Sequence, residues 1–504
     1  MNRSAGILMP ITSLPSPYGV GTMGKAARQF IDFLHLGGQS YWQILPIGPT
    51  GYGDSPYQSF STFAGNPYLI DLDDLKKDGW LKRSEYAGIA WGEDPAKVDY
   101  GTLYNNRFNV LRKAADRLNA EKPRAYSTFL KEHAWWLDDY ALFMAEKYEH
   151  EGKSYTLWED DIRLRRPEAL KKETKRLSEE IRFWKAVQYF FFDQWKKMAA
   201  YAHANGVKII GDVPIYVSPD SADLWANPSL FQLDRKGRPT EVAGCPPDGF
   251  SADGQLWGNP LYNWNAMKKD HYAWWMKRIS HQVSLVDVLR IDHFRGFESY
   301  YAIPYGAATA KNGRWKKGPG ISFFNEVKKQ LGDLDIIAED LGFLTPEVIE
   351  MVHKTGYPGM KVLEFAFDPR DTGSGYLPHK YTNNCVVYAG THDNDTVMGW
   401  FSTADKEFTK RAIQYLHLDE KEGYNWGYIR GAYESVANLA VMQFQDILGL
   451  GSEARINTPS TTGGNWVWRC EPGAYNKTLA RKLRSWTALY DRLPANEKTD
   501  DTLD

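Results

Sequence analysis

Short apolar runs recur along the chain and alternate with stretches that have a helical period. Eight of these runs have the length of strands and end at Pro, Gly, Asp, Glu or Asn. Strands that alternate with helices are typical of βαβ units and a parallel sheet, and eight units close a barrel. We therefore predict an α/β fold, a single (β/α)8 TIM barrel over residues 1–504, with strands at Gly6–Met9, Tyr41–Leu45, Val207–Val213, Leu285–Asp292, Asp335–Glu339, Met360–Phe367, Val386–Thr391 and Ala454–Asn457.

The spacing between the predicted strands is uneven, which indicates insertions into the barrel. Residues 46–206 separate the second strand from the third, far more than a strand–helix connection needs. Within them, apolar residues recur three or four apart over 171–204, as on one face of a long helix. We predict a mainly helical subdomain inserted at 70–185. A second insertion at 218–263, rich in Pro, Gly, Asp and Trp, is predicted to be a lid or substrate-binding segment.

Charged residues stand where two of the predicted strands end. Arg290 and Asp292 are two apart in a strand and so share a face, and a guanidinium beside a carboxylate favours the ionised form that a nucleophile requires. Glu339 follows an apolar strand, where a raised pKa would suit a general acid that then acts as a base. The alternatives are a buried ion pair that satisfies only itself, and for Glu339 a carboxylate at a strand–helix turn.

Two further predicted strands contribute polar groups to the same end. Asp212 lies in the third strand, and His392 and Asp393 follow the seventh. A His–Asp pair could bind a metal, but no third ligand has matching spacing, so we favour recognition of substrate hydroxyl groups. Carboxylates at the carboxyl ends of barrel strands are typical of an active site, and a carboxylate pair is the chemistry of glycoside cleavage.

Aromatic residues support a sugar-binding site. The chain has 19 Trp, 30 Tyr and 23 Phe, together 14% of its residues. Several lie in segments rich in Gly and Pro, among them Tyr52, Tyr57, Phe250 and Trp257. Flat rings in loops can stack on the C–H faces of sugars, whereas the alternative is that they only cover the core.

Composition excludes several classes of protein. With 61 basic and 63 acidic residues the net charge is −2, and no basic stripe predicts a nucleic-acid partner. No apolar run reaches the ~18–20 residues of a membrane span, and no signal peptide is evident, so we predict a cytoplasmic protein.

Gly19–Gly24 fits a dinucleotide-binding motif but does not follow a strand directly. We predict no cofactor and no metal site.

Four motifs in their order along the chain resemble those of the α-amylase clan. They are Asp212-Val213-Pro214, Arg290–Gly296, Ala338–Gly342 and Thr391–Asn394. The set is most similar to glycoside hydrolase family 77, the amylomaltases or 4-α-glucanotransferases. Further similarity at Thr50–Gln58, Gly244–Pro260 and Asn457–Arg469 extends it over nearly the whole chain.

The resemblance implies a role for each matching residue. Asp292 would be the nucleophile, Glu339 the general acid/base and Asp393 the carboxylate that stabilises the transition state. The resemblance also implies eight substrate-binding residues. Tyr57 would stack on the donor sugar, Arg290 and His392 would lie beside the carboxylates, and Asn465 would lie at the end of the last strand. Phe250 and Trp257 would belong to a loop over the acceptor sugars, and Asp212 and Tyr52 would be further contacts.

The resemblance also implies the reaction. A 4-α-glucanotransferase moves segments of α-1,4-glucan between maltooligosaccharides by a retaining double displacement, needs no metal, and lacks the all-β C-terminal domain of amylases. The residues alone do not decide between transfer and hydrolysis by an enzyme of the same clan. A non-catalytic glucan-binding protein is a further alternative, against which the complete set of three carboxylates argues. The oligomeric state is not predicted.

Overall fold

The computed structural model describes residues 2–51, 53–247, 252–342, 344–368, 373–495 and 497. The strands of these residues are β1 (Ser4–Leu8), β2 (Tyr41–Gln43), β3 (Lys208–Pro214), β4 (Glu241–Cys245), β5 (Gln255–Pro260), β6 (Val288–Asp292), β7 (Ser299–Pro304), β8 (Arg314–Lys317), β9 (Ile336–Ala338), β10 (Gly359–Val362), β11 (Cys385–Tyr388) and β12 (Leu439–Gln443).

Eight of the strands close into a parallel barrel. Their order is β1-β12-β11-β10-β9-β6-β3-β2, so each strand is hydrogen-bonded to the barrel strands before and after it along the chain. Apolar side chains from successive strands, among them Leu8, Ile210, Val288 and Ile337, are buried in one cluster inside the barrel. The predicted (β/α)8 fold is confirmed, and all eight carboxyl ends meet on one face.

The helices of the described residues surround the barrel and form its insertions. They are α1 (Lys25–Leu36), α2 (Leu72–Lys77), α3 (Tyr100–Glu121), α4 (Arg124–Glu149), α5 (Asp160–Arg163), α6 (Pro167–Arg176), α7 (Ser178–Ala204), α8 (Ala222–Ala226), α9 (Trp264–Lys269), α10 (Ala273–Val283), α11 (Ile321–Leu331), α12 (Pro346–Thr355), α13 (Val397–Thr403), α14 (Lys406–Leu416), α15 (Tyr424–Glu434), α16 (Phe444–Leu448) and α17 (Lys477–Leu489).

The segment predicted as a helical insertion contains α2 to α6 and the start of α7. The long predicted helix is interrupted at Leu177, where α6 has ended and α7 begins at the next residue. Helix α7 buries the periodic apolar positions, including Trp184, Phe191 and Trp195, and packs against α3 and α4. It also spans residue 185, the predicted end of the insertion, and the division of the chain into barrel and insertions stays a prediction.

A separate sheet lies beside the barrel. Strands β4, β5, β7 and β8 pair antiparallel in the order β5-β4-β7-β8. Strands β4 and β5 belong to the predicted lid segment, whereas β7 and β8 follow the barrel strand β6. The lid segment is therefore part of a sheet that continues beyond it in the chain.

One of the predicted strands is wrong in position, and five of the others are shorter than predicted, Met360–Phe367 by the most. The eighth barrel strand is β12, Leu439–Gln443, and not Ala454–Asn457. Residues 454 and 456 alternate with polar residues as in a strand, but Arg455 and Asn457 are used to bind a neighbouring loop. The predicted strand Met360–Phe367 ends at Val362, and residues 363–367 form a 3₁₀ helix.

Asp446 is a fully buried acid in α16. Its Oδ1 accepts a hydrogen bond of 2.8 Å from Val397 N–H, and its Oδ2 has no hydrogen-bond partner within the described ranges. Burial raises the pKa of Asp446 to about 7, against the Val397 N–H, while Asp395 adds to the rise. A group with a raised pKa stabilises the fold below its unfolded pKa, and this stabilisation is lost as the pH rises through the folded pKa.

We therefore expect Asp446→Asn to stabilise the protein increasingly as the pH rises. Asparagine keeps an oxygen for Val397 and removes the charge, so its free energy of unfolding should exceed the wild type's by about 2 kcal/mol at pH 8 but by much less at pH 5. Urea unfolding at both pH values measures this. Asp116→Asn, at an exposed site on α3, is the control without such a pH dependence. A difference for Asp446→Asn that is equal at both pH values would contradict the explanation.

Candidate active site

The candidate carboxylates lie at the carboxyl ends of neighbouring barrel strands. Asp292 is the last residue of β6, and Glu339 directly follows β9. The register pairs Asp212 of β3 with Arg290, and Ile291 with Ala338 of β9. Because these strands are adjacent in the barrel, residues separated by more than a hundred positions in sequence are brought to one site.

Arg290 links two carboxylates below the site. It donates a hydrogen bond of 2.6 Å from Nη1 to Asp212 Oδ2 and one of 3.0 Å from Nη2 to Asp292 Oδ1. Tyr57 Oη donates to the same oxygen of Asp212 at 2.8 Å. The Arg290 side chain is 4% exposed and that of Asp212 is fully buried, whereas the Asp292 side chain is 29% exposed. Asp292 is thus the member of the network that remains accessible to a substrate.

Glu339 is held by main-chain donors on both of its oxygens. His293 N–H donates to Oε2 at 2.7 Å, and Leu341 N–H donates to Oε1 at 2.8 Å. The first donor is the residue that follows Asp292 in the chain. The position of Glu339 is therefore tied directly to the end of β6.

Burial raises the pKa of both acids. It raises the pKa of Asp292 to about 8, and the charge of Arg290 acts against that rise. Burial also raises the pKa of Glu339, against Arg290 and the two main-chain donors. Neighbouring carboxyl groups with raised pKa values do not both ionise near neutral pH. Since only Asp292 contacts Arg290 directly, the charge is favoured on Asp292 and the proton on Glu339.

His392 and Asp393 form a second side of the site. The Tyr57 and His392 rings are stacked, with centroids 5.1 Å apart, and Trp466 lies next to both. Burial lowers the pKa of His392, which leaves a neutral ring able to exchange hydrogen bonds with hydroxyl groups. The Asp393 side chain is 47% exposed. These rings and the Asp393 carboxylate lie close to one another, and Asp393 is near enough to Asp292 for its charge to add to the rise that burial causes in the pKa of Asp292.

Two residues that support Asp393 were missed by the sequence-based prediction. Asn457 Nδ2 donates to Asp393 Oδ1 at 2.6 Å, and Arg455 Nη2 donates to the Asp393 main-chain oxygen at 2.7 Å. Both lie in the segment wrongly predicted to be a strand. The sequence indicated Asn457 only as the first residue of a motif shared with the family, and no function was predicted for it.

We expect Asn457→Ala to lower kcat for glucan turnover by about 10–100-fold, with little change in KM. The substitution removes a hydrogen bond to a charged group, typically worth about 1.5–3 kcal/mol, and leaves Asp393 free to turn. Initial rates over a range of maltotriose concentrations measure both constants. Asn109→Ala, on the exposed side of α3, is a matched control that should behave as the wild type. An unchanged kcat in Asn457→Ala would exclude this supporting role.

The remaining predicted binding residues differ in position. Trp257 lies in β5, with its ring edge-to-face on His293 at 4.8 Å between centroids, and so borders the site. Asn465 is not at the end of the last strand, which is Gln443. It lies in the loop before Trp466, where its Oδ1 accepts from Thr458 N–H at 2.9 Å. Tyr52 and Phe250 lie outside the described residues.

Comparison with known proteins identifies the family. The profile of glycoside hydrolase family 77, described as 4-α-glucanotransferase, matches residues 9–475. A 4-α-glucanotransferase of Clostridium butyricum is 50% identical over 486 residues, which cover 96% of this chain and 100% of the relative. The chain belongs to this family. The family and activity predicted from the motifs are confirmed: the activity is that of a 4-α-glucanotransferase.

Other members of the family have the same extent and fold. The Thermus thermophilus 4-α-glucanotransferase is 46% identical over 502 residues, covering 97% of this chain and 99% of the relative. The solved amylomaltase of Streptococcus agalactiae, in complex with acarbose, has a TM-score of 0.95 and 42% identity, covering 98% of this chain and 100% of that one. The amylomaltase of Corynebacterium glutamicum, at 18% identity and a TM-score of 0.76 over 98% of this chain and 75% of that one, shares the fold.

The described part of the chain contains neither a metal-binding group of side chains nor a membrane-spanning helix. Among those residues, no three His, Cys, Asp or Glu side chains are grouped as a metal ion would need. Within the same ranges, no helix has both the length and the apolar character of a membrane span.

Proposed function

We propose that this family member transfers α-1,4-glucan segments by a retaining double displacement with Asp292 as nucleophile and Glu339 as acid/base. The observation that carries the proposal is the contrast between the two acids: Asp292 contacts the Arg290 guanidinium, whereas Glu339, among the described residues, is hydrogen-bonded to two main-chain N–H groups and to no guanidinium. Arg290 favours the charged form of Asp292, and burial favours the protonated form of Glu339, which are the two forms that the first step requires.

In the first step a donor glucan is cleaved at its α-1,4 bond. Asp292 Oδ attacks the anomeric carbon while Glu339 gives its proton to the leaving oxygen, so a covalent glycosyl-enzyme and a shortened glucan with a free 4-hydroxyl are formed. Asp393, held by Asn457, faces the positive charge that develops on the sugar ring. Tyr57, stacked on His392, presents its other ring face to the donor sugar.

In the second step an acceptor takes the glycosyl group. Glu339, now ionised, removes the proton from the 4-hydroxyl of a glucan or glucose, and that oxygen displaces Asp292 and restores the α linkage. Two inversions retain the configuration. Transfer requires the acceptor sugar to compete with water at the intermediate, and Trp257, which borders the site on β5, is suited to stack on that sugar.

The experiment that tests the proposal is incubation of the purified protein with maltotriose, without added metal, followed by separation of the products by chain length. We expect maltodextrins longer than maltotriose together with glucose. Glucose and maltose alone would show hydrolysis on the same site, and an unchanged substrate would refute the proposed roles. The substrates proposed are α-1,4-glucans and maltooligosaccharides, and the cytoplasmic location stays a prediction.

A further inference from the structure

His293 has an unusual backbone conformation directly after the proposed nucleophile. Its φ of 52° and ψ of 48° place it in the left-handed region, which costs a residue with a side chain roughly 1–2 kcal/mol and is tolerated best by Gly, Asn and Asp. A histidine at such a position needs support from its surroundings. The main chain and the ring of His293 make different contacts, which together provide this support.

The main chain of His293 reaches Glu339. The left-handed turn directs its N–H at Glu339 Oε2, at 2.7 Å, and the next N–H, of Phe294, donates to the Glu339 main-chain oxygen at 3.0 Å. Two successive N–H groups thus fasten Glu339 to the turn after Asp292. A donor on a carboxylate stabilises its ionised form, so this contact opposes the rise of the Glu339 pKa that burial causes.

The ring of His293 reaches the strand of the proposed lid. It meets the Trp257 ring edge-to-face, with centroids 4.8 Å apart and planes at 88°, and lies near Tyr216 at 6.5 Å. Its Nε2 is buried and has no hydrogen-bond partner in the described part of the chain. Burial, with the nearby Arg295 charge, lowers the pKa of His293 to about 3, so a neutral ring packs against these aromatic surfaces.

We propose that His293 is a positioning residue that couples Trp257, on strand β5, to the acid/base Glu339. Trp257 holds the ring, the ring stabilises the left-handed turn, and the turn keeps the N–H on Glu339. An acceptor sugar that binds to Trp257 would thereby influence Glu339, the residue that has to remove the proton from the hydroxyl group of that sugar. The proposal rests on the proposed role of Glu339 and adds a route by which acceptor binding influences it.

The test compares His293→Asn with Trp257→Ala and with Trp257→Phe. Asparagine is tolerated in the left-handed turn, so the variant should fold, but it is too short to reach Trp257 and the turn is no longer held by a ring. The N–H should then leave Glu339, and we expect kcat for maltotriose to fall about tenfold with KM unchanged. Losing the N–H contact raises the pKa of Glu339, so the alkaline limb of the kcat profile should move up by about 0.5–1 pH unit. The charged groups around Glu339, namely Arg290, Asp292, Arg295 and Asp340, are the same in every variant.

The tryptophan pair separates positioning from sugar binding. Trp257→Ala should shift the alkaline limb as His293→Asn does, and the double variant should shift it no further, whereas Trp257→Phe, which keeps a ring edge for His293, should retain the wild-type limb. KM is expected to rise only in the two Trp257 variants. If His293→Asn is unstable by thermal unfolding, His293→Gly takes its place, because glycine is tolerated in the turn but has no ring that holds the turn in position.

Three outcomes would overturn the proposal. One is a wild-type kcat and alkaline limb in His293→Asn. A second is a higher KM in His293→Asn with the alkaline limb of its kcat profile unchanged, which would mean that His293 contacts the sugar. The third is a limb that shifts equally in Trp257→Phe and Trp257→Ala. Failure of the acid/base role itself would be seen separately, as full turnover of maltotriose by Glu339→Gln.

Discussion

Asp292→Asn is expected to lower glucan transfer by at least about 10⁴-fold while leaving glucan binding close to that of the wild type. Asparagine has the same shape but cannot form the ester with the anomeric carbon, and loss of a nucleophile costs rates of this order. Arg290 keeps its hydrogen bond to Asp212, so the site should retain its geometry. Product analysis with maltotriose gives the rate, and calorimetric titration with a maltooligosaccharide gives the affinity.

A matched substitution on the next strand controls for the loss of a negative charge. Asp335 precedes β9 at its amino end, is exposed, and lies at the opposite end of the barrel from the site, so Asp335→Asn should retain transfer. Full activity in Asp292→Asn would show that another group is the nucleophile. Loss of binding together with activity would show that Asp292 serves the shape of the site more than the chemistry.

Glu339→Gln is expected to slow turnover of maltotriose by about 10³-fold, within the range that general acid–base catalysis contributes. The amide oxygen can accept only one of the N–H groups of His293 and Leu341, because they donate to different oxygens of Glu339, and the amide cannot give a proton to the leaving sugar. A substrate with a good leaving group, such as α-maltosyl fluoride, needs no proton in the first step. We therefore expect that substrate to form the covalent intermediate, seen as an increase in intact mass by one maltosyl group.

The intermediate should also persist in that variant, because no base is present to activate the acceptor hydroxyl. Glu347→Gln, at an exposed position in the first turn of α12, is the matched control and should turn over both substrates. If the fluoride formed no maltosyl-enzyme, so that the first step were as slow as with maltotriose, Glu339 would not act as the acid. Rapid release of the maltosyl group would mean that a different residue is the base.

The sequence predicts the site better than it predicts the last part of the barrel, for a physical reason. Asp292 is the last residue of β6 and Glu339 directly follows β9, so their positions follow from short-range pattern and barrel topology. Strand β12 carries no acid and follows α15 closely, so nothing in its pattern marks it as the closing strand. The nearby segment 454–457 alternates apolar and polar residues as a strand does, and was predicted in its place.

The contacts that complete the site could not be read from the sequence because they join distant segments. Asn457 is 64 positions from Asp393, and nothing in the local pattern around either residue indicates the other. The left-handed turn at His293 is similarly invisible, since histidine has no strong preference for it. Such contacts depend on how loops fold over the barrel, which periodicity does not describe.

The bridge that Arg290 makes between Asp212 and Asp292 also bears on the charge balance of the reaction. Before attack, one guanidinium faces two carboxylates, and the group carries a net negative charge. In the proposed covalent state Asp292 is an ester, so Arg290 and the buried Asp212 remain as a one-to-one ion pair. The negative charge that Asp292 carried is then on Glu339, which has given up its proton. The charge thus lies on the group that has to take the proton of the acceptor hydroxyl, which prepares the proposed intermediate for an acceptor glucan.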